Sequence, residues 1–257
     1  MTQATLAAPV AFDGVGLHTG ADAHVEIRPA SENTGLVFSL GDDGFAVPAL
    51  AEFVTDTARA TVIGRDGRTV STVEHLLSAL FGMGVSNATI AVRGPEIPVT
   101  DGSGKAFADA IERVGVAAQS APRATMQLDR PFYLRSGDRL VAAIPSDAFR
   151  VRFVADFPAP VGTEYFYEAI TPDVYRDEIC AARTFGYLHE VEALRERGLA
   201  RGGSLENAVV FDENGPMRPL RWPNEVVRHK VLDLLGDFAL LGAWPQFEVV
   251  AIKSGHA

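Results

Sequence analysis

Two spacings of apolar residues divide the chain into short strands and a few helices. Ala23–Arg28 (AHVEIR) alternates polar and apolar positions, the period of a half-buried strand. Leu36–Ser39 and Arg59–Ile63 have strand composition, and Gly41–Gly44 and Arg65–Arg68 are turn signals. The period then changes. Val73, Leu76, Leu77 and Leu80 recur at helical spacing, with Ser71 or Thr72 placed to cap the helix and Gly82 and Gly84 at its end. Asn87–Arg93 returns to strand character. Gly94–Gly104 is a Gly/Pro-rich loop, and Lys105–Val114 is a second helix closed by Gly115.

Residues 117–124 (AAQSAPRA) read as a linker. Strands resume at Thr125–Leu128, Leu140–Ile144 and Phe149–Asp156. Val174–Arg183 and Leu188–Arg197 read as helices, Gly198–Gly203 as a loop and Leu205–Phe211 as a strand. Asn224–Leu241 is a long helical pattern, and Phe247–Lys253 is a last strand. A weak repeat emerges. Val73-Glu74-His75 and Val227-Arg228-His229 each lie in a helix that ends near a glycine and precedes a β-branched strand. Two copies of a sheet with a helical layer are therefore expected. In the second copy the chain ends where the second helix is expected to begin.

Length fits this division: 257 residues suggest two small domains or one large one at roughly 150 residues per domain. With 47% hydrophobic and 22% charged residues, the composition excludes intrinsic disorder and collagen-like or disulfide-scaffold classes. No apolar run approaches the ~20 residues that span a bilayer, and Met1–Pro9 has no secretory pattern. The single cysteine, Cys180, fits a reducing cytoplasm and reads as a small core residue. The net charge of −10, from 33 acidic and 23 basic residues, argues against nucleic acid as a partner.

The candidate chemistry lies on the two repeated helices. His229 and Asp233 are i and i+4, on one helix face, a spacing that suits two ligands of one divalent metal or a plain polar stripe. Glu74 and His75 open an otherwise apolar helix, where a charge needs a partner. Successive helical residues diverge by roughly 100°, so one can ligate a metal while the other faces its water. His75, His229 and Asp233 together form a two-His, one-carboxylate set with an open fourth position, the pattern of a catalytic metal site. Ligand type alone leaves Zn²⁺ and Fe²⁺ both open. Asp237, one turn beyond Asp233, suits a residue that holds a histidine ring and equally a solvated acid. His256 follows a glycine at a strand end, which can place the ring in a cleft, although position alone favours a flexible terminal residue. Gly14–Gly20 lacks both nucleotide fingerprints and reads as a tight turn that brings His18 near a ligand. Arg183–Gly186 combines a hydroxyl and a ring. His24 and His189 have no pattern and read as surface residues.

Seven segments in order resemble the UDP-3-O-acyl-N-acetylglucosamine deacetylases of lipid A synthesis, the LpxC family. They are FDGVGLHTG (12–20), STVEHLLSAL (71–80), PEIPVTDGSGKAF (95–107), ARTFGY (182–187), GGSLENAVV (202–210), VRHKVLDLLGD (227–237) and KSGHA (253–257). The resemblance implies an α+β fold of two similar domains, 1–119 and 120–257, in a duplicated ribosomal-S5-domain-2-like arrangement. Each is a small, mainly antiparallel sheet with a helical layer, and the helices of the two domains pack together around the site. It implies Zn²⁺ held by His75, His229 and Asp233, and Glu74 as general base. It implies His256 as general acid, Asp237 as the residue that orients it, and Thr184 as the donor to the oxyanion. Phe185, Lys230 and His18 fall on substrate-binding positions. Tyr187, Leu188, Val191, Leu194, Leu199 and Leu205 supply an apolar passage for a fatty acyl chain.

The expected reaction is hydrolysis of an N-acetyl group on an amphipathic UDP-sugar by a cytoplasmic monomer without a stable membrane anchor, touching the membrane surface transiently. A shortened homologue that binds a nucleotide-sugar or a partner with little catalysis is the alternative. A structural zinc domain is disfavoured, since such sites are usually Cys-rich and this chain has one cysteine.

Overall fold

A computed structural model describes residues 1–256. Ala257, the last residue of the KSGHA segment, lies outside the described residues. The first half runs β1 (Thr2–Leu6), β2 (Val10–Val15), β3 (Asp22–Pro29), β4 (Leu36–Leu40) and β5 (Phe45–Pro48). It continues through β6 (Val54–Asp56), β7 (Val62–Arg65), β8 (Arg68–Val70), α1 (Glu74–Gly82), β9 (Ala88–Arg93) and α2 (Lys105–Val114). β10 (Val116–Pro122) and β11 (Thr125–Gln127) lead on to β12 (Phe132–Ser136), β13 (Arg139–Pro145), β14 (Arg150–Phe157) and β15 (Gly162–Ala169). The helical turn α3 (Pro172–Val174), β16 (Phe185–Tyr187), α4 (Leu188–Glu196), β17 (Val209–Asp212), β18 (Gly215–Pro216), α5 (Glu225–Ala239) and β19 (Trp244–Ile252) complete it.

The α+β architecture holds, and the repeat is explicit in the strand order. One sheet runs β2-β3-β9-β4-β5 and the other β12-β13-β19-β14-β15. In both, the central strand (β9 after α1, β19 after α5) is antiparallel to one neighbour and parallel to the other. One face of each sheet is apolar, because alternate residues point the same way. Val25, Ile27, Phe38, Ile90 and Val92 are buried on the first, and Val151, Phe153, Val249 and Ala251 on the second. These residues and the apolar positions of α1 and α5 form one continuous core. All nine residues of α1 are buried, so the pattern read from Val73 to Leu80 marks only its most apolar stripe.

The two helices meet backbone to backbone. A Cβ placed on Gly236 of α5 lies 2.1 Å from the carbonyl oxygen of Glu74, so only glycine permits this approach. The contact brings the start of α1 against the middle of α5.

Several local expectations are corrected. Residues 117–124 are not a linker, since β10 pairs antiparallel with β1 and so crosses the expected 119/120 boundary. Its small side chains carry no periodic signal. Pairing with the remote N-terminal strand makes it a strand, and Glu32 accepts from the Ser120 and Ala121 amides. Ser71 and Thr72 do not cap α1. Val73 is the N-cap, and the Thr72 hydroxyl donates to Glu96 at 2.8 Å. The helix expected at Val174–Arg183 is shorter, with a π-helical turn at Tyr175–Ile179. The strand expected over Leu205–Phe211 begins only at Val209, and Arg59–Ala60 is bend rather than strand.

Candidate metal centre and active site

Glu74 and His75 are the first two residues of α1. His229, Asp233 and Asp237 lie at successive i+4 positions on α5. The close approach at Gly236 brings these two sets together. One ligand atom each from His75, His229 and Asp233 lies within 4.8 Å of the others. His75 Nε2 and His229 Nε2 stand 3.6 and 3.4 Å from Asp233 Oδ1. The rings meet edge to face, with centroids 5.0 Å apart. All three residues are buried.

The donor set fits a divalent metal. His229 Nδ1 lies 3.0 Å from the Ala182 carbonyl oxygen, which accepts only, so Nδ1 carries the proton. Nε2 keeps its lone pair toward Asp233, as in a metal-ligating histidine whose other ring nitrogen is held by a carbonyl. Burial draws His229 down to about 4, which keeps it neutral. Burial opposes charge on His75 as well, but the Asp233 carboxylate 3.6 Å away and the Glu74 charge outweigh it and raise its affinity for a proton. Burial also resists the Asp233 anion, yet the adjacent His229 ring and the Lys230 ammonium hold its carboxyl well below the usual range. A cation placed among these atoms competes with the His75 proton.

Two further groups flank this set. Burial pushes Glu74 up to about 7, the range of a working general base. His256 Nε2 faces it, 4.0 Å from Glu74 Oε1 and 3.8 Å from Asp233 Oδ2. Burial disfavours the His256 cation, but the hydrogen bond from Nδ1 to Asp237 Oδ2, at 2.8 Å, and the nearby carboxylates raise it to about 9. A buried carboxylate and a histidine, each with a raised affinity for a proton, therefore face one another.

These groups open onto a cleft of about 610 Å³. Its lining includes His18, Thr184, Phe185 and Lys230. The Lys230 ammonium donates to Asp233 Oδ2 at 2.6 Å. The Phe185 ring packs edge-on against Phe157 and His229. The Thr184 amide donates to the Gly102 carbonyl and its own carbonyl accepts from Val209, which fixes this segment between the two halves. His18 Nδ1 is buried and meets no partner among the described residues. Tyr187, Leu188, Val191, Leu194 and Leu205 line the apolar end, but Leu199 is not among the lining residues. His189 sits at the rim, exposed to solvent yet part of the cleft wall. His24 pairs with exposed Asp13, and Cys180 is buried in the core.

The comparisons agree with this geometry. The family model of the UDP-3-O-acyl N-acetylglycosamine deacetylases, LpxC, matches residues 3–257. The chain belongs to this family. It is 44% identical to the UDP-3-O-acyl-N-acetylglucosamine deacetylase of Myxococcus xanthus, over 99% of this chain and 83% of that protein. The deacetylase of the same name from Phenylobacterium zucineum is also 44% identical, over 100% of this chain and 90% of its own. That of Nostoc is 43% identical, over 100% and 95%. LpxC proteins are metalloenzymes, and the His75, His229 and Asp233 group is where this LpxC chain can hold a metal.

Sequence reasoning missed three contributors to the LpxC site. Thr61 is 2% exposed and touches both Glu74 and Asp237. Glu96 accepts from the amides of His18 and Thr19 and from the Thr19 and Thr72 hydroxyls, which ties the Gly16–Gly20 turn to the start of α1. The Gly16–Gly20 turn in turn holds the 199–203 loop, since the Arg201 and Gly202 amides donate to the His18 and Leu17 carbonyls. Arg59 faces Glu190 across the cleft at 3.7 Å. The burial of the Glu96 carboxylate within a Gly/Pro-rich loop emerges only from the fold. The others depend on contacts remote in sequence.

Proposed function

We propose that this chain is a zinc-dependent deacetylase that hydrolyses the N-acetyl group of UDP-3-O-acyl-N-acetylglucosamine. The products are acetate and UDP-3-O-acyl-glucosamine, in the committed step of lipid A biosynthesis. The observation that carries the reading is the convergence of His75, His229 and Asp233 with Glu74 at an apolar cleft. His75, His229 and Asp233 hold the metal. When bound there, zinc supplies Lewis acidity, which acidifies water and polarises a carbonyl.

The chain's own residues do the rest. The Glu74 carboxylate takes the proton of the water that attacks the acetyl carbonyl. The Thr184 hydroxyl donates to the oxygen on which negative charge develops, a contribution typically worth a few kcal/mol in the transition state. His256, oriented by Asp237, gives its proton to the departing glucosamine nitrogen. Lys230, Phe185 and His18 contact the sugar nucleotide, and the unpartnered His18 Nδ1 supports that placement. Tyr187, Leu188, Val191, Leu194 and Leu205 receive the acyl chain.

The matching strand orders support two domains, 1–119 and 120–257, with β10 bridging back to β1. The reading is completed by a cytoplasmic monomer that meets the membrane surface transiently through its amphipathic substrate. No helix of the described residues is long and apolar enough to cross a membrane. The test is acetate release from UDP-3-O-acyl-N-acetylglucosamine by the purified chain. Activity that chelation abolishes and added Zn²⁺ restores is expected. Full activity after verified metal removal overturns the zinc reading, and a folded, zinc-loaded chain that binds substrate without releasing acetate favours the binding-only alternative.

A further inference from the structure

Among the described residues, Thr61 is the one that hydrogen-bonds to the carboxylates on both sides of the site. It lies in the first half, just before β7, and is almost completely buried. Its amide donates to Glu74 Oε2 at 3.1 Å. Its carbonyl accepts from the Val73 amide at 3.3 Å, so its backbone is anchored to the start of α1 twice. Its hydroxyl reaches across to α5 and donates to Asp237 Oδ1 at 2.6 Å. The same hydroxyl oxygen lies 3.2 Å from His256 Nδ1.

These contacts divide the oxygens of each carboxylate. Thr61 occupies Oε2 of Glu74, and Oε1 is the oxygen that faces His256 Nε2. Thr61 occupies Oδ1 of Asp237, and Oδ2 is the oxygen that holds His256 Nδ1. A carboxylate with one oxygen pinned cannot rotate freely about its last bond, so the second oxygen keeps its direction. Because Nδ1 is held by Asp237, Nε2 is the nitrogen turned toward the cleft.

We propose that Thr61 is a positioning residue that sets the working oxygen of Glu74 and, through Asp237, the direction of His256 Nε2. It ties the proton acceptor on α1 to the proton donor of the second half at a fixed separation. The proposal rests on the assignment of Glu74 as base and His256 as acid. Neither the seven-segment resemblance nor the metal ligand set assigns Thr61 a role.

The test compares Thr61→Val, Thr61→Ala and Thr61→Ser in the full chain loaded with zinc. Removal of the hydroxyl is expected to lower kcat about 10- to 100-fold, the range for loss of an orienting partner. KM and zinc content stay within about twofold, because no metal ligand is touched. Thr61→Ser keeps the hydroxyl and stays within about threefold of wild type. In an Asp237→Ala background, Thr61→Ala costs less than about twofold more, since its target is gone. A second readout is independent of turnover: the His256 Nδ1–H proton resonance is slow to exchange in wild type and Thr61→Ser, and lost to exchange in Thr61→Ala. Should Thr61→Val unfold, Thr61→Ala reads the same way without added bulk.

Near wild-type kcat in a folded hydroxyl-free variant overturns the proposal. So does an equal loss in Thr61→Ser, or an undiminished effect without Asp237. A wild-type chain that releases no acetate overturns the proposed function instead, and the His256 resonance still decides whether Thr61 holds the Asp237–His256 pair.

Discussion

Helices α1 and α5 come from equivalent places in the two halves, yet they carry chemistry differently. On α1 the polar residues are adjacent, Glu74 beside His75, in the first turn of a helix buried along its whole length. On α5 they recur every four residues, at His229, Asp233 and Asp237, along one stripe. Adjacent residues on a helix diverge by roughly 100°, so α1 sends one side chain to the candidate metal set and the other to the position of the proposed base. Residues four apart share a face, so α5 lines up two ligands and the partner of His256. One helix thus branches its polar groups and the other aligns them. A catalytic site that needs both a tight ligand set and a separate base is supplied by pairing the two arrangements.

The largest expected effects break that division of labour directly. Glu74→Gln keeps the shape of the side chain and is expected to lower kcat roughly 10²- to 10⁴-fold with metal content unchanged. His229→Ala should instead release the metal, read by metal analysis of the purified variant. If the two variants lose metal equally, the contrast between a branching and an aligning helix is wrong.

The contact between the helices comes next. Gly236→Ala places a methyl against the Glu74 carbonyl, which is backbone and cannot turn aside. Overpacking of this kind costs about 1–3 kcal/mol in stability. Displacement of the catalytic groups by about 1 Å costs on the order of 100-fold in rate. Thermal unfolding and kcat measured together check it, and an unchanged rate means that the helices tolerate separation.

The pH profile separates the base from the acid. Glu74 must be deprotonated, so activity falls on the acid side of about 7, and the positive metal beside it moves that limb lower still. His256 must be protonated, so activity falls above about 9. Glu74→Gln should remove the acid limb from the residual rate and His256→Gln the alkaline limb. The smallest expected effect lies in the apolar end of the cleft. Leu194→Trp narrows the passage and should cut kcat/KM about 10-fold for a long-chain substrate while sparing a short-chain one.

Much of the site was legible without coordinates because it lies on helices. The i, i+4 spacing of His229 and Asp233 and the adjacency of Glu74 and His75 are local facts, and helix geometry converts them into directions. Thr61, Glu96 and Arg59 were not legible for the opposite reason. Each acts from a loop or strand edge on a partner far along the chain, and no period announces such a contact. The 117–124 segment shows the same limit in the fold. Its alanines and serine carry no pattern, and it becomes β10 only because β1 offers a ladder to pair with. Thr72 was readable as a cap from its chemistry, but the buried Glu96 carboxylate claims its hydroxyl.

By itself, the order of residues determined the α+β class, the repeat and the identity of the chemical groups. Periodicity and side-chain type are properties of neighbouring positions, and both are written along the chain. Only the tertiary structure decided which of those groups share a space. The approach of α1 and α5 at Gly236 sets the ligand atoms together, burial between the two sheets raises Glu74, and the Asp237 hydrogen bond with the nearby carboxylates raises His256 against burial. Separation and desolvation belong to the folded core, and the reactivity of this site is set by both.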